Sequence, residues 1–255
     1  MALKFQRKFI FLTVYIFGLL LSLQFVFAKA SSKEIDFDDA KKFLSKHLDL
    51  FDHKTIYCGC LVQKKTIDLN SCGYKIQKNK NRASRLEWEH VVPAEAFGNS
   101  FVEWREGTQA CVKKGKKYKG RKCAGTNLEF RRMEGDLYNL FPEIGELNGL
   151  RSNYSMAQLT EKVGRFGNCA VKLADRKFEP SDSAKGIVAR TYMHFENRYP
   201  GRGVVSGKNK KLFEAWDKMY PITEIECKRW SVLEKEIGYP HLFMGRCSEM
   251  NKQKR

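Results

Sequence analysis

The sequence predicts an α+β fold in one disulfide-stabilised domain, and three observations lead to this prediction. Segments with helical periodicity flank the middle of the chain, the middle consists of short β-prone pieces broken by glycine and asparagine, and eight cysteines are spread from Cys58 to Cys247. About 225 residues follow a predicted export signal, which is enough for one domain with a substantial core. The sequence contains no internal repeat and no proline-rich linker that would mark a second domain.

The predicted helices have apolar residues on one face. In residues 36–51 the apolar positions recur at i, i+3 and i+4, behind two acidic residues in the first turn. The same period returns in residues 183–199 and 209–220, and Pro221 ends the second of these. Residues 57–76 and 86–92 instead consist of short β-prone pieces, which predicts strands and turns.

The first thirty residues are typical of an export signal. Three cations precede an apolar run at residues 9–28, and Ala28-Lys29-Ala30 forms a small-x-small cleavage site before Ser31. We therefore expect residues 1–30 to be removed, and residues 31–255 to act in the periplasm or outside the cell without inserting into a membrane. An uncleaved anchor is the alternative, because the apolar run is nearly long enough to span a bilayer.

Cysteines in an exported chain predict disulfides. The eight are Cys58, Cys60, Cys72, Cys111, Cys123, Cys169, Cys227 and Cys247. A zinc site is the alternative, but Cys58-x-Cys60 lacks the usual two-residue spacer and no histidine pair follows at ligand spacing. The pairing cannot be read from the sequence, although a bridge between Cys111 and Cys123 would close the loop between them.

The charge predicts a polyanionic partner. The net charge is +18, and the predicted signal accounts for four of these positive charges, which leaves +14 on residues 31–255. Such a charge attracts phosphate backbones without regard to sequence. The loop at residues 113–122, rich in lysine with interleaved glycine and Tyr118, is predicted to be a mobile phosphate clamp. A solvated basic face, or attraction to an anionic membrane, is the alternative.

His90 is the candidate catalytic residue. It lies in LEWEHVVPAEAFG, next to Glu89 and shortly before Pro93, at the predicted end of a strand. Neighbouring strand residues face opposite sides, so the pair can serve one site only where the pleat stops, and Pro93 favours such a stop. A neutral imidazole can take a proton from water, and a carboxylate can hold a hard cation against a phosphate. The alternative is a structural histidine.

Asn148 is the second candidate ligand. It lies in RRMEGDLYNLFPEIGELNGLRSNY, where Pro142 is predicted to occupy the first turn of a helix. Ile144 and Leu147 would then pack, while Glu143, Glu146 and Asn148 would point to other faces, so that Asn148 could project as an amide ligand. A solvated or capping amide is the alternative.

The motifs EWEHVVPAEAFG, MEGDLYNL and IGELNGLRSN resemble the endonuclease I family of bacterial periplasmic and secreted nucleases. The resemblance continues through YCGC, SCGY, ARTY and AWDKMYP to IEC. It implies a ββα-metal (His-Me finger) site in a mixed α/β fold, one Mg²⁺ ion that Mn²⁺ or Ca²⁺ can replace in binding, and nonspecific hydrolysis of DNA and RNA to 5′-phosphate ends. By motif position, His90 would be the general base, and Glu89 and Asn148 the metal ligands.

Further residues can be carried over from the resemblance by motif position. Glu134 in MEGD is similar to an additional active-site acid of the family, and Asn139 in YNL to an ordering residue. The family's phosphate-binding arginine matches Arg121 best, with Arg105 and Lys122 as alternatives because the intervening loop here is longer and richer in lysine. We expect a monomer.

One segment departs from the family pattern, and two other classes of protein fit parts of the sequence. Residues 237–244, IGYPHLFM, stand where the family has a GNHNP-like segment. A non-catalytic extracellular nucleic-acid-binding protein would explain the charge but not Glu89, His90 and Asn148 together. An exported effector acting on membranes would need a strongly basic amphipathic helix, which the sequence does not offer.

Overall fold

Helices and short strands alternate along residues 35–253, the part of the chain that the computed structural model describes. The predicted export signal at residues 1–30 lies outside the described residues. The helices are α1 (Phe37–Lys46), α2 (Lys80–Ala83), α3 (Ala94–Gly98), α4 (Val102–Arg105), α5 (Arg121–Ala124), α6 (Leu128–Glu134), α7 (Gly145–Arg151), α8 (Asp182–Arg198), α9 (Gly207–Met219), α10 (Glu224–Ile237) and α11 (Met244–Gln253). The predicted α+β class is confirmed.

The strands are short and form separate small sheets. They are β1 (Leu61–Gln63), β2 (Thr66–Asp68), β3 (Leu86–His90), β4 (Val112–Lys113), β5 (Lys116–Lys117), β6 (Leu140–Ile144), β7 (Ser155–Met156), β8 (Lys172–Ala174) and β9 (Lys177–Glu179). The pairs β1–β2, β3–β6 and β4–β5 are antiparallel, and the remaining strands form a sheet in the order β7-β9-β8. The segment 57–76, predicted to contain strands, contains β1 and β2, and the segment 86–92 contains β3.

Helix α1 begins where the sequence predicts it and ends earlier. The Asp36 carboxylate accepts a hydrogen bond from the backbone N–H of Asp39 at 2.9 Å, which caps the first turn. Ala40 and Leu44 are buried on one face. The chain leaves the helix after Lys46, and a 3-10 turn at Leu48–Phe51 completes the segment predicted as one helix.

The antiparallel pair β3–β6 positions the site. Its register runs from Leu86 opposite Ile144 to His90 opposite Leu140, and α7 follows β6 without a loop. The prediction that Pro142 starts a helix is wrong, because Pro142 lies in β6 opposite Trp88. In a two-stranded pair alternate N–H groups point away from the partner strand, so a residue without an N–H fits there.

The helix actually begins three residues later, and this changes which side chains are free. Glu143 and Glu146, predicted to be available, are both buried. Glu146 lies in the first turn of α7, and its carboxylate accepts backbone N–H bonds from Gln77 (2.9 Å), Lys78 (2.5 Å) and Asn79 (2.6 Å). These bonds outweigh the opposing effect of burial and lower the pKa of Glu146. Glu146 therefore fixes the 77–79 loop against α7.

The C-terminal helices contact one another and the 3-10 turns at Leu48–Phe51 and Leu137–Asn139. The helices predicted at 183–199 and 209–220 are α8 and α9, and α9 ends at Met219, before Pro221. The buried Arg190 of α8 pairs with Glu226 of α10 and Asp217 of α9 at 2.8 Å each. Thr223 and Glu226 form a capping box at the start of α10.

All eight cysteines form disulfides. The bridges are Cys58–Cys169, Cys60–Cys72, Cys111–Cys123 and Cys227–Cys247. The local bridge between Cys111 and Cys123, which the sequence allowed without fixing the pairing, is present, and the zinc alternative is wrong because no thiol is left to ligate a metal. Within residues 35–253 no helix is both long and apolar enough to cross a bilayer.

Candidate active site

A cleft of about 440 Å³ runs along β3 and contains most of the predicted site residues. Its lining includes Glu89, His90, Arg121 and Asn148, which come from three different parts of the chain. The fifth predicted residue, Glu134, lies behind Arg121 rather than in the lining and contacts it through its carboxylate. The structure therefore brings together side chains that are 59 residues apart in sequence, from Glu89 to Asn148.

His90 ends β3 and is only 8% exposed. Its Nε2 lies 2.8 Å from the backbone carbonyl oxygen of Glu134. Because a carbonyl can only accept, Nε2 must carry the proton, and Nδ1 of the neutral ring has a free lone pair. Burial, together with the nearby charge of Arg121, lowers the pKa of His90 to about 3. The imidazole is thus neutral at pH 7 and able to accept a proton.

Glu134 ends α6 and contacts two site residues through different atoms. Its backbone carbonyl accepts from His90, and its side-chain Oε1 accepts from Nε of Arg121 at 2.5 Å. Asn127 caps this helix by accepting from the N–H groups of Glu129 and Phe130. The position of α6 therefore determines the position of both the histidine and the arginine.

Arg121 is the one of the three candidate phosphate-binding cations that lines the cleft. Its side chain is 49% exposed, and its guanidinium lies 5.2 Å from the ring centre of Phe37. Arg105 donates instead to the Asn99 carbonyl at 2.8 Å, and the Lys122 ammonium lies 5.5 Å from the ring centre of Tyr118. Arg121 begins α5, next to the Cys111–Cys123 bridge that closes the β4–β5 hairpin.

Glu89 is almost fully buried, at 2% exposure. Its Oε1 accepts a 2.8 Å hydrogen bond from the Tyr57 hydroxyl and lies 3.1 Å from Nη1 of Arg151. Burial raises the pKa of Glu89, and the charge of Arg151 and the bond from Tyr57 oppose this rise. Within residues 35–253, the contacts with Tyr57 and Arg151 both involve Oε1. Oε2 is therefore the oxygen that can serve a ligand in the cleft.

Asn148 lies on α7 and contributes an amide to the same cleft as Glu89. At Gly149 this helix lies close to α2, since a Cβ there would meet the guanidinium of Arg82. Arg82 is itself held by Glu87, which accepts from Nε at 3.0 Å and from Nη2 at 2.9 Å. Arg82, itself held by Glu87, therefore packs against α7 beside Asn148.

The candidate ligands Glu89 and Asn148 carry oxygen donors, which suit a hard divalent cation. These two residues, which both line the cleft, carry one carboxylate and one amide group. Within residues 35–253 no group of three or more His, Cys, Asp or Glu side chains is placed to hold a metal. Mg²⁺ is commonly bound through one or two protein oxygens, with water and substrate phosphate completing its shell. The arrangement is thus suitable for a cation that binds together with a phosphate.

Asn139 orders the backbone that follows β3. Its Oδ1 accepts from the N–H of Val92 at 2.7 Å, and its Nδ2 donates to the Val92 carbonyl at 3.0 Å. The amide side chain takes the place of a neighbouring strand just where β3 stops. The regular pleat therefore ends at His90, the condition under which the neighbouring residues Glu89 and His90 can face one site.

The sequence did not indicate several residues that shape this cleft. Phe37, Lys41, Arg82 and Arg151 are among its lining residues. The ring centres of Phe37 and His90 are 4.7 Å apart, and the Lys41 ammonium lies 4.5 Å from the Phe37 ring centre. The one available signal was the spacing of Arg151, three residues after Asn148 on the same helix, which places both on one face.

A neutral buried imidazole, two candidate oxygen ligands and an arginine in one cleft of a positively charged protein are typical of a phosphodiester hydrolase. Comparisons with known proteins agree. Residues 28–240 match the profile of the endonuclease I family, and the chain belongs to this family.

Curated relatives cover most of the chain. It is 37% identical over 258 residues to Endonuclease-1 of Buchnera aphidicola subsp. Baizongia pistaciae (strain Bp), which covers 97% of this chain and 98% of the relative. It is 42% identical over 198 residues to a periplasmic deoxyribonuclease of Aeromonas hydrophila, 74% and 77% of the two chains. It is 40% identical over 202 residues to an extracellular deoxyribonuclease of the same organism, 76% and 82% of the two chains.

Proposed function

We propose that the chain is a metal-dependent endonuclease that hydrolyses DNA and RNA without sequence preference, in the periplasm or outside the cell, and leaves 5′-phosphate ends. The names of its relatives support a deoxyribonuclease outside the cytoplasm. The observation that carries the proposal is the orientation of His90, whose Nε2 donates to the Glu134 carbonyl and leaves Nδ1 as the base.

In this proposal Nδ1 of His90 accepts a proton from the attacking water. General-base catalysis works best when the pKa of the base is close to the operating pH. The low pKa of His90 has two main causes, burial and the charge of Arg121. A phosphate diester bound at Arg121 would offset the charge of Arg121, whereas a cation held by Glu89 would act in the opposite direction. At neutral pH the ring is unprotonated and can accept the proton.

Glu89 and Asn148 would hold Mg²⁺, with Mn²⁺ or Ca²⁺ as substitutes in binding. The bound cation would supply charge neutralisation at the scissile phosphate and at the leaving oxygen. Glu89 Oε1 is held by Tyr57 and Arg151, so Oε2 is the oxygen directed to this role. The ligands come from the end of a strand and from the helix that follows its antiparallel partner, which supports the ββα-metal assignment.

Arg121 would bind the phosphate, and Glu134 would hold it in place. The Arg121 Nε donates to Glu134, which leaves the terminal N–H groups of the guanidinium for phosphate oxygens. The β4–β5 hairpin, with Lys113, Lys116 and Lys117, precedes Arg121 and is exposed. It would contact the backbone away from the cut site without reading bases, which suits nonspecific cleavage.

The test is cleavage of supercoiled plasmid and of a labelled single-stranded RNA by the purified oxidised protein. We expect degradation with Mg²⁺, none with EDTA, and a 10²- to 10⁴-fold lower rate for His90→Ala, the range typical of a lost general base. His47→Ala is the matched control, because His47 bonds the Phe43 carbonyl and lies outside the cleft lining. Labelled products would show phosphate at the 5′ ends.

Other outcomes would contradict separate parts of the proposal. Cleavage that continues in EDTA would exclude the metal. Normal turnover by His90→Ala would exclude the base. DNA binding without cleavage by the folded wild type, in either Mg²⁺ or Mn²⁺, would make the chain a nucleic-acid-binding protein.

A further inference from the structure

Arg151 ends α7 and places a buried guanidinium beneath the end of β3. It is 1% exposed. Its Nη1 donates to the His90 carbonyl at 2.9 Å, and its Nη2 donates to the Val91 carbonyl at 2.6 Å. Two successive carbonyls of one strand end are thus held by one side chain from another element.

The same guanidinium pairs with Glu89. The Arg151 Nη1 lies 3.1 Å from Glu89 Oε1, the oxygen that also accepts from Tyr57. A planar guanidinium presents its N–H groups in a fixed fork, so these contacts define the position of strand and carboxylate together. The Glu89 side chain is thereby prevented from rotating, and its second oxygen keeps one direction.

Arg151 also links the two ligand-bearing elements. Asn148 lies one turn earlier on α7, and residues three apart on a helix share a face. The contacts of Arg151 therefore set the distance between the α7 face that carries Asn148 and the strand end that carries Glu89. Cation affinity depends on such a distance, because Mg²⁺ tolerates little deviation from octahedral geometry.

We propose that Arg151 is a positioning residue for the cation site: it fixes Glu89 and the end of β3 relative to Asn148 and does not itself touch the substrate. This inference rests on the proposed function, since it assigns Arg151 a role in the affinity for the divalent cation. Tyr57 assists by holding the same carboxylate oxygen from the other side.

The experiment measures Mn²⁺ binding by calorimetry without nucleic acid. Wild type is compared with Arg151→Met, which fills a similar volume and lacks donors, and with Arg151→Lys. Arg190→Met is the matched control, because Arg190 is equally buried and pairs with Glu226 and Asp217, away from the cleft. Circular dichroism and thermal unfolding show which variants are folded.

We expect Arg151→Met to bind Mn²⁺ about 10- to 100-fold more weakly, the usual effect of removing a group that orients a metal ligand. Arg151→Lys should restore part of the affinity, and Arg190→Met should bind Mn²⁺ as wild type does although it is destabilised. Raising Mg²⁺ should restore much of the cleavage by Arg151→Met, which a merely structural role would not do.

A folded Arg151→Met with wild-type Mn²⁺ affinity would overturn the inference. If Arg151→Met does not fold, the same criterion is applied to Arg151→Lys, and if neither folds, to Tyr57→Phe, which removes only the hydroxyl that holds Glu89. Wild type that neither binds Mn²⁺ nor cleaves DNA would contradict the proposed function. Wild type that does both, with Arg151 variants that bind Mn²⁺ equally well, would contradict this inference alone.

Discussion

His90 in the cleft and the pair His194 and His241 under the C-terminal helices are all buried, but their surroundings differ. His194 and His241 are each 3% exposed, and their ring centres are 4.3 Å apart. His241 also stacks on Trp230 at 4.0 Å, and His194 packs edge-on against Tyr138 at 4.8 Å. These rings are surrounded by aromatic side chains, whereas His90 lines an open cleft.

Burial lowers the pKa of all three histidines, to about 3 for His90 and for His194. A lowered pKa therefore does not by itself mark a functional histidine. His90 differs in three ways. One of its ring nitrogens is held by the Glu134 carbonyl, Arg121 and Glu89 line the same cleft, and that cleft is open to solvent. His241 belongs to the IGYPHLFM segment, which here serves to pack the C-terminal region.

The largest expected effect separates the two regions by phenotype. His90→Ala should lower kcat by the factor given above with a small change in stability. His241→Ala should leave kcat within about threefold but remove the stacking on Trp230 and His194, at a cost of about 3 kcal/mol, as for other large core rings. Plasmid cleavage and urea unfolding of both variants check this. A His241→Ala protein that is folded but inactive would show that the two regions are coupled.

The second expected effect concerns acid stability. The pKa of His194 is lowered to about 3 and that of His241 well below the ordinary 6.5, so below about pH 6.5 the unfolded chain takes up their protons before the folded chain does. Their contribution to stability is complete above pH 6.5 and falls as the pH decreases. Below pH 6.5 the slope from the two together should approach about 2.7 kcal/mol per pH unit.

The measurement for this slope is the unfolding free energy of wild type and of a His194→Phe, His241→Phe double variant at pH 7.5, 5.5 and 4.5. Buried carboxyls such as Glu143, whose pKa is raised to about 8 by burial, titrate in both proteins and cancel in the difference. A difference that does not change with pH would mean that both histidines are protonated without cost in the fold.

The smallest expected effect tests how the cleft arginine is held. Glu134→Gln removes the charge opposite Arg121 and keeps the backbone carbonyl that holds His90. We expect kcat/KM to fall about tenfold, the equivalent of one charge-assisted hydrogen bond. Glu129→Gln is the control, since Glu129 is on the same helix and pairs instead with Arg202. Equal effects of the two substitutions would contradict a specific role for the Glu134 carboxylate.

Periodicity was sufficient for helices that bury one face. Helices α1, α8 and α9 begin within two residues of their predicted positions, because their sequence pattern and their packing concern the same local face. The assignment of Pro142 to a helix start, made from the preference of proline for a first turn, was wrong, because Pro142 lies in β6. The preference of proline for a first helical turn and its tolerance at a strand edge are both local, and only the pairing with β3 decides between them.

The motifs predicted which residues meet in the cleft, but not what holds them. Glu89, His90, Arg121 and Asn148 line one cleft as the family resemblance implied. The contacts of Arg151 with the His90 and Val91 carbonyls span 61 and 60 residues of sequence, and no local pattern reports such contacts. The candidate site residues belong to short recognisable motifs, whereas the residues that support them depend on the tertiary fold.

The two contacts of Glu134 would respond differently to substitution. Its carboxylate can be removed by changing residue 134, but its carbonyl is present whatever residue occupies that position. Substitutions at residue 134 would therefore show only the effect of the carboxylate on Arg121. The tautomer of His90 would persist in every folded variant. Disturbing that tautomer requires displacing the end of α6. Residue 134 can therefore change while Nε2 of His90 keeps its proton.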